Sequence, residues 1–294
     1  MNINKLVTVS FLILSLFNQV LAQEKYEFIG VIELEDKSVI TYNLVFSEND
    51  GEIEGFSITD LQGEHETENK IIGNYDKKKK EFSFKEEDII YTKSPITQDD
   101  FCFINFSGKL KLEKSNSKLE GDFKGLFNDG KECINGSIKL VGTASLYNKM
   151  NKLNKKINKT KLIDEKTKVR INPVKLLDSL RMNTLREGEK TSVFWKSNIF
   201  KMQIWDAGKE DGDRISILVN GKKVLDNYTI SHSVKEISFP LEQQHNTIVL
   251  HAENEGEIKP NTSKISLFDG DKEIGLYTNL DTNKDTTIIL IKRK

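Results

Sequence analysis

Trp205-Asp206-Ala207-Gly208-Lys209-Glu210-Asp211-Gly212-Asp213 followed by Arg214-Ile215-Ser216-Ile217-Leu218-Val219-Asn220-Gly221-Lys222-Lys223-Val224-Leu225 reads as an acidic, glycine-bearing loop that feeds a β-hairpin. Asn220-Gly221 between two apolar runs is the strongest short hairpin signal, because a type I′ turn needs positive φ at both central residues. Four carboxylates fall within eight residues of the preceding loop. Working outward, apolar and polar residues alternate through Ile237, Phe239 and Leu241 and again through Ile248, Leu250 and Ala252. About eight such strands in a hundred residues predict an antiparallel β-sandwich over 192–294.

The N-terminal part, 23–145, carries strand patterns every dozen residues or so, with turn clusters such as Asn49-Asp50-Gly51 and Asn128-Asp129-Gly130 between them. This texture predicts an antiparallel barrel or sandwich. A repeated glycine inside the strands, at Gly55, Gly121 and Gly136, suits the bends needed to close a sheet. The module resembles lipocalins and avidins in texture, which implies either a ligand-holding lumen or one filled by side chains. Between the two modules, residues 146–191 predict a basic helical connector. Leu146, Met150, Leu153 and Ile157 make a narrow apolar stripe, and Asn172-Pro173 opens a second helix. The chain as a whole is therefore read as all-β with a short helical joint.

The 294 residues are nearly neutral overall, but 146–191 hold 13 basic residues against five acidic ones. Such a segment suits an anionic polymer or surface, or simply a solvated linker. No aromatics interleave the charges, so nucleic acid is not an expected partner. Residues 1–22 have a lone early lysine, an apolar run and small residues before Gln23, as a cleaved signal peptide has. The mature chain is then expected to be secreted or periplasmic, with no transmembrane segment. In an oxidising compartment Cys102 and Cys133 are expected to form a disulfide, although a simple meander puts them on strands separated by a third.

Trp205-Asp206, Glu210 to Asp213, Asn220-Gly221, His251-Ala252-Glu253-Asn254-Glu255-Gly256 and Pro260-Asn261-Thr262 together resemble a recurrent C-terminal module of secreted bacterial proteins. The resemblance covers a third of the chain and implies that the acidic loop and the Ala-Glu-Asn segment belong together, without implying an activity. Hard cations take several oxygens from carboxylates and Asn carbonyls. Asp206, Asp211, Asp213, Glu253 and Asn254 are thus candidate calcium ligands, against ordinary turn chemistry. Trp205 and Tyr228, flanking the loop and hairpin, are candidate stacking residues for a carbohydrate, against plain packing.

The four histidines are scattered, and no nucleophile–base spacing, phosphate loop or zinc motif occurs. The expectation is a non-enzymatic exported binding protein that recognises a glycan or envelope component with calcium as a structural ion. The alternatives are a structural envelope protein whose C-terminal module docks a protein partner, and a secreted hydrolase using converging carboxylates.

Overall fold

The computed structural model describes residues 24–95, 98–113 and 116–293, so the signal peptide expected over 1–22 lies outside the described residues. Strands β1 (Lys25–Leu34), β2 (Val39–Asn49), β3 (Glu52–Thr59), β4 (Thr67–Asp76), β5 (Glu81–Thr92), β6 (Phe103–Lys111), β7 (Lys118–Leu126) and β8 (Glu132–Gly142) run in meander order. Each pairs antiparallel with the next, and β8 returns to β1, closing an eight-stranded barrel.

Alternation sends Phe28, Tyr42, Phe46, Phe82, Phe84 and Phe106 into one buried cluster inside the barrel. Phe84 and Phe106 stack at 5.2 Å between centroids, and Phe46 and Phe82 lie 4.9 Å apart. Of the two lumens the texture allowed, this barrel has the filled one. Outward positions carry charge instead, with ion pairs such as Lys109–Glu81 and Lys124–Glu132. One acid faces inward: Glu86 accepts hydrogen bonds from Tyr42 Oη, Ser57 Oγ and the Ile104 amide. Burial pushes its carboxyl up, opposed by those donors.

Cys102 and Cys133 are bridged, with Cα atoms 6.0 Å apart. Strand β7 does lie between β6 and β8, yet the bridge passes over it at Gly125. A Cβ built on Gly125 would come within 2.4 Å of Cys102 Sγ and 3.1 Å of Cys133 Sγ. The missing side chain is what lets the sulfurs meet across an intervening strand.

Helix α1 (Thr143–Lys159) leaves the barrel directly from β8. It packs Leu146, Tyr147 and Met150 with Leu177 of α3 (Pro173–Ser179) against Ile29, Ile58 and Leu61 on the barrel's outer wall. The short α2 (Glu165–Arg170) lies between them. Asn172 caps α3 as its sequence indicates, accepting from the amides of Val174 and Lys175.

Strands β9 (Thr184–Arg186), β10 (Lys190–Trp195), β11 (Ile199–Trp205), β12 (Arg214–Val219), β13 (Lys222–Thr229), β14 (Lys235–Pro240), β15 (His245–Ala252), β16 (Lys264–Asp269), β17 (Lys272–Asn279) and β18 (Asp285–Lys292) form a sandwich. One sheet orders β13-β12-β15-β18-β10 and the other β14-β11-β16-β17-β9. Asn220 and Gly221 both have positive φ, as the hairpin requires. Two features depart from the sequence reading. The connector does not run to Thr191, because β9 and the start of β10 occupy its end. Both of these strands also pair parallel, β9 with β17 and β10 with β18, so the sandwich is not wholly antiparallel.

A further departure is at the joint. Strand β10 also pairs with the far end of β5, Ser192 with Thr92 and Val193 with Tyr91, making the barrel and the first sheet one continuous sheet. Strand β5 is long enough, at 12 residues, to serve both bodies. Irregular pairing between β4 and β5 accompanies the change of face, and Ile90 and Tyr91 enter the sandwich core with Trp195 and Phe200. Buried charges span the same joint: Lys93 Nζ lies 3.5 Å from both Glu66 and Glu189 and donates to the Thr184 carbonyl at 2.9 Å.

Replacing Gly125 with Ala should break the disulfide geometry. The bridge closes a loop of 31 residues, worth about 3–4 kcal/mol by chain entropy. Gly125→Ala should lose at least as much stability as Cys102→Ser, because its Cβ would also meet the Ile134 carbonyl oxygen at 2.2 Å, and it should leave free thiols. Thermal unfolding with thiol titration measures this, and a Gly125→Ala protein with an intact bridge and unchanged stability would contradict it.

Candidate functional site

The acidic loop and the Ala252-Glu253-Asn254-Glu255 segment meet through hydrogen bonds, which gives their association a physical content. Asn254 Oδ1 accepts from the Arg214 amide at 2.6 Å, and its Nδ2 donates to the Gly212 carbonyl at 2.9 Å. Asp211 Oδ2 accepts from the Ile258 amide at 3.0 Å, and Asp213 Oδ2 from the Thr262 amide at 2.7 Å. Asp206 closes its own turn, accepting from the Gly208 amide at 2.6 Å. Asn261 completes the latch by donating to the carbonyls of Arg214 and Asn254.

Of the five candidate calcium ligands, Asp206, Asp211, Asp213 and Asn254 belong to this latch. Glu253 does not: its carboxylate accepts from Ser216 Oγ on β12. Both residues follow the end of β15, where the hydrogen bonds put Asn254 on the loop and Glu253 on β12. Among the described residues, no three His, Cys, Asp or Glu side chains are gathered so as to hold a metal ion. The latch leaves two buried oxygens without a partner, Asp213 Oδ1 and Asn261 Oδ1. Asp213 is 2% exposed, and burial, aided by the charges of Asp211, Asp206 and Glu255, pushes its carboxyl up to about 6 against the opposing Thr262 amide.

The two candidate stacking residues are not brought together. Trp205 ends β11 in one sheet and Tyr228 sits on edge strand β13 of the other. Lys235 Nζ covers the Tyr228 ring at 5.8 Å. The structure instead lines up Trp205 with Lys264 and Lys264 with Tyr277 across β11, β16 and β17. Lys264 Nζ lies 5.1 Å from the Trp205 ring centroid and 5.9 Å from that of Tyr277. Two strand spacings separate the rings, about 10 Å.

Along the same outward face run Gln203, Ser266 and Gly275, then Lys201, Phe268 and Glu273, by the register of the three strands. Nothing stands within 4 Å above Gly275. The face therefore presents aromatic rings, an amide and charge, while Ser266 is buried and donates its hydroxyl to Glu273. At its Tyr277 end it runs into a cleft of about 570 Å³ shared by barrel, connector and sandwich, lined by Gln62, Met182, Arg186, Asp206, Lys264 and Tyr277 among others. Arg186 reaches back to the barrel through Gln62 Oε1 at 2.6 Å.

Tyr277 was missed by sequence reasoning because its significance is a matter of register. Nothing local separates it from the other tyrosines, whereas Trp205 was legible beside the acidic loop. No family model matches the chain, and neither does any curated protein or solved structure.

The raised Asp213 carboxyl makes stability depend on pH in a definite sense. Its folded form holds a proton to higher pH than the unfolded chain does, so its contribution is full below pH about 4. That contribution is lost as pH rises through about 6 and stays lost above. Asp213→Asn should flatten this decline and gain about 1–2 kcal/mol at neutral pH. Thermal midpoints of both proteins across that window measure it; parallel curves would refute the assignment.

Proposed function

We propose that this is an exported, non-enzymatic binding protein that recognises a glycan or another polar envelope component on the outward face of β11, β16 and β17. The observation that carries the reading is the Trp205–Lys264–Tyr277 row opening into the three-module cleft. Aromatic rings on a sheet surface offer apolar faces to pyranose rings, while Lys264, Gln203 and Arg186 offer donors to hydroxyl and carboxylate oxygens. Clefts between modules are favoured ligand positions. The filled lumen supports the same placement, since it leaves recognition to the exterior.

Calcium enters the proposal as a structural ion of the neighbouring latch, where Asp213 Oδ1 and Asn261 Oδ1 have no protein partner. Oxygen donors of this mixed kind suit a hard cation. Its effect would be to hold the loop that forms one wall of the cleft.

Calorimetric titration of a glycan panel tests the reading. Binding should weaken about tenfold or more in Trp205→Ala and in Tyr277→Ala, the scale of losing one stacked aromatic, and stay unchanged in Tyr228→Ala. Calcium should raise the thermal midpoint of the protein and fail to do so in Asp213→Asn. Equal affinity in all three aromatic variants would remove the platform, and a midpoint indifferent to calcium would return the acids to loop latching alone.

A further inference from the structure

The connector carries an uncovered apolar surface set among unpaired cations. Helix α1 packs on the barrel through its first turns, where Thr143 and Ser145 are buried and Leu146, Tyr147 and Met150 join the outer-wall cluster. Its apolar stripe continues past that support to Leu153, which is exposed, and the following loop holds Leu162 at 96% exposure. Val169 on α2, Leu176 on α3 and Leu180 at its C-terminal cap are exposed as well. A lone exposed leucine is ordinary, but five within 28 residues of one helical unit are not.

Around them Lys152, Lys155, Lys156, Lys159, Lys161 and Lys166 are exposed. Among the described residues, the ion pair in this stretch is Lys168 with Glu165, and none of those six has a carboxylate partner. On the barrel, exposed lysines such as Lys70, Lys85 and Lys139 sit beside acids, and the unpaired ones among the described residues, Lys25, Lys78, Lys80 and Lys118, are not set among exposed leucines. The connector's charge is therefore available to a partner. Residues 148–176 contain no aromatic side chain, so the surface lacks the stacking groups that single-stranded nucleic acid favours. Leucines interleaved with lysines match the acyl boundary and the anionic headgroups of a bilayer.

We propose that the helical connector, through Leu153, Leu162 and Val169 among its lysines, docks this protein peripherally on an anionic lipid surface. The lysines draw the chain to the headgroups and the leucines enter the interface, so the attachment is reversible and sensitive to salt. No helix of the described residues is long and apolar enough to cross a membrane, and none is needed for this mode. The inference shares no residue with the proposed glycan platform and stands apart from it.

Vesicle flotation tests it, using the chain from Gln23 onward so that the apolar N-terminal run does not itself partition. The protein should float with phosphatidylcholine vesicles containing phosphatidylglycerol, not with pure phosphatidylcholine, and should be released by added salt. Leu162→Asp with Leu153→Ser, and separately Lys152→Glu with Lys155→Glu and Lys156→Glu, should each lower the partition constant about tenfold or more. All five positions are exposed, so thermal midpoints should not change. Equal binding to neutral vesicles, or binding to neither kind, would overturn the proposal. So would a lysine variant that loses binding while the leucine variant keeps it and a soluble polyanion competes fully, because that pattern belongs to a polyanion site.

Discussion

The whole arrangement depends on one strand exceeding the length its barrel needs. Strand β5 spends its first half lining the lumen with Phe82, Phe84 and Glu86, then continues to Thr92, where β10 takes up its free edge. An exposed strand edge offers unpaired amides and carbonyls, and pairing it removes a liability. Here the pairing makes two bodies into one sheet. Because Ile89, Ile90 and Tyr91 are all buried, this end of the strand serves two cores at once. Lys93 adds a charge held between an acid of the barrel and an acid of the second module, a contact that weakens if either side moves. A hinge between the modules would have to break both.

Much of this was legible in the residues. Period-two alternation and turn chemistry marked the all-β class, and the Asn220-Gly221 turn has the backbone its sequence demands. What was not legible depends on long-range register. Residues 184–195 lie beyond a helix and show little alternation until Thr191, Val193 and Trp195 are buried against a partner far along the chain. Parallel pairing leaves no local turn signal, since its partners are a hundred residues away. The consecutive acids Glu86, Glu87 and Asp88 interrupt the apolar alternation of β5 and have the composition of a loop, yet Glu86 is buried in the lumen. At the site, the loop's importance was visible from its composition, but its acids serve chiefly as acceptors for neighbouring amides. Hydrogen-bond accounting of a buried loop demands such acceptors, and composition alone does not distinguish them from ligands.

Filling a barrel with phenylalanine changes what the fold is for. An eight-stranded wall around a packed interior leaves the functional surfaces to its outside and to what it carries. The aromatic rings lie over glycines of neighbouring strands: a Cβ on Gly136 would meet the Phe123 ring at 2.8 Å, and one on Gly121 the Phe106 ring at 3.0 Å. The glycines that curve the sheet thus also make room for the side chains that plug it. One residue type closes the barrel and closes its interior to ligands.

The placement of β18 carries a consequence for biosynthesis. This strand is last in the chain but lies inside its sheet, between β15 and β10. The barrel's strands pair with near neighbours in sequence and are complete by Gly142, so it can assemble while the rest is still being made. The second module has no such option. Until Asp285–Lys292 emerge, β15 and β10 face an empty slot and the graft onto β5 has nothing on its other side. The sandwich therefore closes late: a chain stopped before Asp285 would expose two strand edges, the kind of surface that proteases and chaperones read.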